Sequence, residues 1–112
     1  MTLVRLDMKP IRDEKTFHEA FARTLGFPDY YGRNLDAWID CMTSLDDPSA
    51  GMTTVHAPQG GVLVLQLDDV DAFARRCPKL FQTLQECAAF VNWRRIERGE
   101  PAVLALSYCR EA

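Results

Sequence analysis

The element order β-α-α-β-α-α-β predicts an α/β fold, a three-stranded parallel sheet covered by about four helices. Three observations lead to it. Short apolar runs of strand length fall at residues 2–7, 62–67 and 102–108. The stretches between them carry apolar residues at i, i+3, i+4 spacing and are long enough to return the chain for parallel pairing. The middle run, Val62-Leu63-Val64-Leu65-Gln66-Leu67, is apolar at nearly every position, as expected of a strand covered on both sides.

Taken in order, the first strand ends at the turn around Lys9-Pro10. Asp13 is placed to cap a helix reaching about residue 25, with Phe17, Ala20, Phe21, Thr24 and Leu25 on its inner face. Gly26 suits the left-handed position after a helix, and Pro28 cannot continue one. Asn34 then caps a second helix from Leu35, whose core stripe is Leu35, Trp38, Ile39, Met42 and Leu45. Residues 46–61 hold two prolines and three glycines without apolar periodicity, so a long surface loop is expected. After the middle strand, Asp69 is placed to cap a short helix carrying Val70, Phe73 and Ala74. Pro78 opens a last helix with Leu80, Phe81, Leu84, Cys87, Ala88 and Val91 at core spacing, and Gly99 is its expected terminator. The cluster Trp93, Arg94, Arg95 and Arg98 reads as a solvated helix end whose cations suit the dipole.

The 112 residues suffice for one domain, expected to span 1–112, with 47% apolar and 26% charged residues. Lys+Arg number 13 against 16 Asp+Glu, a net charge of −3. That balance argues against a nucleic-acid binder, which needs a basic face for phosphates, and suits a basic protein partner. The cysteines 41, 77, 87 and 109 have no metal-type spacing and there are two histidines, so neither metal nor other cofactor is expected. With an aspartate by position 7 no signal peptide is expected, and no apolar run approaches a membrane span; a cytoplasmic protein, monomeric when free, is expected. Phosphate-cradling glycine loops, G-x-S-x-G and H-E-x-x-H are all missing, so no catalytic constellation assembles.

Asp36 and Asp40 share one side of the second helix, one turn apart, with no basic residue at 37, 43 or 44 to offset them. Like charges at this spacing cost roughly 0.2–0.5 kcal/mol on an exposed helix, which marks either a solvated acidic face or a binding surface. The wording around them is specific. Tyr30-Tyr31-Gly32-Arg33-Asn34-Leu35-Asp36-Ala37, followed by Asp40-Cys41-Met42-Thr43, resembles the signature of the barstar family, intracellular protein inhibitors of the secreted ribonuclease barnase. Ile11-Arg12, Phe17-His18, Leu25 and Pro28 upstream, and Gly99 with residues 102–107 near the end, keep the family spacing.

The resemblance implies a barstar-like three-stranded architecture and a non-catalytic inhibitor whose acidic helix enters the cationic active site of a ribonuclease or similar secreted toxin, where carboxylates replace phosphate. It makes Asp40 the carboxylate at the phosphate site, Asp36 a second anion, Tyr30 an aromatic contact, and Asn34, Thr43 and Ser44 the polar surround. Departures accompany the likeness. Ile39 stands where the family has tryptophan, with Trp38 one position earlier; Ser44-Leu45 replaces a Gly-Trp pair; Arg94 falls on a family glutamate and Arg33 on another acid. These weaken or reverse contacts with a basic nuclease. A regulatory or protein-interaction module with a non-nuclease partner is therefore the alternative function.

Overall fold

Strands β1 (Thr2–Asp7), β2 (Leu63–Asp68) and β3 (Leu104–Cys109) form a parallel sheet in the order β1-β2-β3, with Leu3, Val64 and Ala105 at one level and Arg5, Gln66 and Ser107 at another. The computed structural model describes residues 1–110; residues 111 and 112, part of the expected 1–112 domain, lie outside the described residues. Helices α1 (Glu14–Leu25) and α2 (Leu35–Thr43) connect β1 to β2, and α3 (Val70–Arg76) and α4 (Pro78–Glu97) connect β2 to β3. The long connection after α2 holds one 3₁₀ turn, Pro48–Ala50.

The core lies on one side of the sheet. Leu6, Leu63, Leu65, Leu67 and Leu104 point inward and are buried together with Phe17, Phe21, Trp38, Met42, Leu45, Phe73, Leu84 and Val91. The middle strand departs from the expectation of cover on both faces. Val64 and Gln66 are half-buried, and their neighbour Leu3 is 56% exposed. An apolar run alone does not distinguish a doubly covered strand from a central strand whose outer face is flanked by its neighbours.

Local chemistry explains the ends of the helices. Asp13 and Thr16 exchange side chain-to-backbone bonds in a capping box, Thr16 N donating to Asp13 Oδ1 at 2.9 Å and Asp13 N to Thr16 Oγ1 at 3.1 Å. Pro78 occupies the first turn of α4, and Gly99 follows its end at φ +76°. Asp69 does not cap α3. It sits at the expected position but takes a left-handed backbone (φ +63°) and makes no side-chain bond to the helix amides.

Gly26 is required twice over. Its φ of +66° lies in the region that side chains resist, and an added Cβ would stand 1.9 Å from Thr54 Oγ1 and 2.8 Å from Thr54 Cβ. Thr54 belongs to the long loop and donates its N–H to Leu25 O at 3.0 Å, so this close approach pins the loop to the end of α1. Gly51 shares the backbone conformation (φ +69°) but has open space around it. Chemical denaturation is therefore expected to show Gly51→Ala costing about 1–2 kcal/mol from strain alone. Gly26→Ala should cost clearly more, because Thr54 must also move.

A second expectation concerns acid. Asp68, buried at the end of β2, accepts from Gln66 Nε2 at 2.8 Å and from Arg5 Nε at 3.0 Å. These contacts, the Gln66 bond foremost, hold its carboxyl below the usual carboxylate value against the opposing effect of burial. A depressed folded-state pKa gives stability that is present above the unfolded value, near pH 4, and lost as pH falls through the folded one. Asp68→Asn should flatten the decline of unfolding free energy measured below about pH 4.

Candidate functional site

The motif segment is assembled by a turn and a cap. Tyr31 N donates to Pro28 O at 2.9 Å, and Arg33 takes the left-handed backbone (φ +54°) that brings the chain round into α2. Tyr31 is anchored inside: its hydroxyl lies 2.5 Å from His18 Nδ1, and His18 Nε2 lies 3.3 Å from Glu14 Oε1. Burial pushes the Tyr31 phenol above its usual range, so it stays protonated beside that imidazole. Asn34 caps α2, its Oδ1 accepting from Ala37 N at 2.8 Å.

Of the core stripe read from the sequence, Trp38, Met42 and Leu45 are fully buried, and Leu35 and Ile39 half-buried. Trp38 packs edge-on against Phe21 with ring centroids 5.5 Å apart and lies 6.4 Å from Phe17. It is a core residue and offers nothing to a partner.

The expected site residues divide. Tyr30 is 75% exposed, its hydroxyl 3.7 Å from Met52 Sδ. Asp36 is exposed in the first turn of α2 and forms no ion pair among the described residues; Arg33, which could have reached it, lies 3.9 Å from Glu19 instead. Asp40 is exposed too, but Arg94 Nη1 donates to its Oδ1 at 2.8 Å. The sequence offset for the Asp36–Asp40 pair is thus present, 54 residues away in α4. Ser44, half-buried, closes α2 with its N–H directed to Cys41 O and Met42 O. Thr43, expected on the outer side, is only 5% exposed; its hydroxyl donates to Ile39 O at 2.6 Å, within its own helix.

Two concavities meet at Asp40 and Met52. One, about 400 Å³, is lined by Asp40, Thr43, Ser44, Ala50, Met52, Arg94 and Arg98. The other, about 150 Å³, includes Pro28, Tyr30, Tyr31, Ala37, Asp40 and Met52. Asn34 and Asp36 line neither. Ala50, Met52 and Arg98 line these concavities although the sequence reading gave them no site role, and Arg94 lines one at the position where the family has glutamate. The loop residues carry no periodic signal, and the arginines look like an ordinary cationic helix end. A larger concavity of about 610 Å³ lies apart, between the starts of α1 and α4; its Asp13 already caps α1 and its Arg76 already bonds the carbonyls of Met8 and Ile11.

Beneath the site, the helix end read as solvated is not uniformly so. Arg95 is 2% exposed. Its Nη1 and Nη2 donate to the two oxygens of Asp46 at 3.0 and 2.8 Å, Nη1 also to Thr43 O at 2.8 Å, and Nε to Pro101 O at 2.7 Å. One side chain thus joins the end of α2, the start of the long loop and the approach to β3. The spacing 84, 88, 91, 95 continues the apolar stripe of α4, and that is the signal by which the position could have been read as buried.

No helix is long and apolar enough to cross a membrane, and no cluster of three or more His, Cys, Asp or Glu among the described residues could hold a metal ion. The family model for barstar, the barnase inhibitor, matches residues 1–107. The chain belongs to the barstar family. Its parallel sheet and four helices are the barstar-like fold expected from the sequence. A Bacillus subtilis (strain 168) protein named "Putative ribonuclease inhibitor YrdF" is 40% identical over 47 residues, which are 42% of this chain and 52% of that protein. The chain thus matches about half the length of that relative.

Proposed function

We propose that this barstar-family chain is a non-catalytic protein inhibitor of a ribonuclease or similar secreted toxin, binding its cationic active site through the outer face of α2. Tyr30, Asp36, Asp40 and Ser44 are the contact residues in this reading; Asn34 and Thr43 hold the helix that presents them. The observation that carries it is the position of Asp40, a 55% exposed carboxylate at the meeting point of two concavities on a helix whose other side is locked into the core. A carboxylate fixed on a rigid element can replace substrate phosphate with charge-assisted bonds from arginine or lysine. Family membership and the relative whose name is "Putative ribonuclease inhibitor YrdF" support the reading.

The test is cleavage of a fluorogenic RNA by barnase and by basic secreted ribonucleases from the same source as the chain. Stoichiometric inhibition of at least one is expected. Full activity of all of them at micromolar chain would defeat the reading. A second reading, an interaction module with a non-nuclease partner, draws on the Asp40–Arg94 pair, which reduces the anionic surplus of the face. Retrieval of a non-nuclease protein in an Asp40-dependent manner, without ribonuclease inhibition, would favour it.

A further inference from the structure

We infer that the concavity between the ends of α2 and α4 receives an acidic side chain of the partner protein, held by Arg94 and Arg98 beside Asp40. The inference rests on the inhibitor reading and adds the partner's chemistry: a carboxylate next to the cationic group that meets Asp40, in place of a uniformly basic surface.

Charge is the first argument. Two guanidiniums and one carboxylate line the concavity, so it holds one cation in excess. Arg98 is exposed and forms no ion pair among the described residues. Arg94 uses only Nη1 on Asp40, leaving Nε and Nη2 as donors. Two arginines one helical turn apart, each with a planar fork, match the geometry of a carboxylate. The lining is the second argument. Ser44 and Thr43 give it a polar edge, and Ala50 and Met52 a short apolar wall, in about 400 Å³, ample for one acidic side chain and several waters. Asp40 in the same concavity, on a chain of net charge −3, disfavours the phosphate run of a nucleic acid.

The partner's side of such a contact is an ion pair that exchanges with the one here: its cation takes Asp40 as its acid takes Arg94. No buried charge is left unmatched, which is the condition for such a contact to be favourable.

The experiment is a titration of the full chain followed through the arginine Nε–H signals in NMR, with sodium glutarate, inorganic phosphate and a decameric RNA as probes. Glutarate is expected to shift the Arg94 and Arg98 signals saturably, at least tenfold more tightly than it does in Arg98→Gln. Absence of a saturable shift overturns the inference, as does tenfold tighter binding of phosphate or RNA than of glutarate. This titration needs no ribonuclease, so its failure is distinguishable from failure of the inhibitor reading. With a ribonuclease that the chain inhibits, Arg98→Glu should weaken inhibition at least tenfold. Unchanged or stronger inhibition would show a uniformly basic partner surface and would equally overturn the inference.

Discussion

Replacing Arg95 by alanine is expected to lower the unfolding free energy by about 3–5 kcal/mol, the range for removing one member of a buried ion pair. The loss has several sources. Asp46, 15% exposed at its side chain, would keep its charge without a counterion, and the carbonyls of Thr43 and Pro101 would lose their donor. Water can reach little of this site, so the unpaired groups keep most of their desolvation cost. A surface salt bridge contributes about 0–1 kcal/mol, so a larger measured value separates the two situations. Arg95→Lys should recover only a fraction, because an ammonium cannot span both oxygens of Asp46 and the two carbonyls as the fork does. Urea denaturation decides the matter. A change below about 1 kcal/mol would mean that Arg95 contributes no more than an exposed residue.

Asp40→Ala should behave in the opposite way, leaving the fold almost intact and removing most of the binding. Its pair with Arg94 is between side chains 55% and 33% exposed, so stability should change by no more than about 1 kcal/mol. Truncating one member of a desolvated, hydrogen-bonded charge pair across an interface costs about 2–5 kcal/mol. The low end applies, since Asp40 must first exchange an internal partner. About 2–3 kcal/mol corresponds to roughly 30- to 150-fold weaker inhibition. Titration calorimetry against an inhibited ribonuclease, with Asp36→Ala in parallel, measures it. Asp36 lines neither concavity and should cost less. Equal affinities of the native and Asp40→Ala chains would remove Asp40 from the interface.

The fold was largely legible because its signals are local. A capping box at Asp13, a glycine that must be left-handed at 26, an N-cap at Asn34 and a proline opening α4 are each decided within four residues of sequence. Where reading failed, a longer-range cause can be named. Asp69 has the right residue type for a cap, but it takes a left-handed backbone and makes no capping bond. The last strand was expected from residue 102 and begins at Leu104, because Asn92 Oδ1 accepts from Val103 N and Leu104 N and occupies the amides just before and at its start. The candidate site was half legible. Its helix, carboxylates and exposed tyrosine carry a recognisable wording; the arginine facing Asp40 and the methionine beneath Tyr30 come from segments remote in sequence, brought there by packing of α2 on α4 and by the bonds Thr54 N to Leu25 O and Ala57 N to Leu45 O.

Arg94 and Arg95 are consecutive, yet one faces solvent beside Asp40 and the other is sealed beneath it. Under the proposed function, substitutions at 94, 98 or 52 would alter partner recognition while sparing the fold, whereas a substitution at 95 would cost stability before recognition came into play.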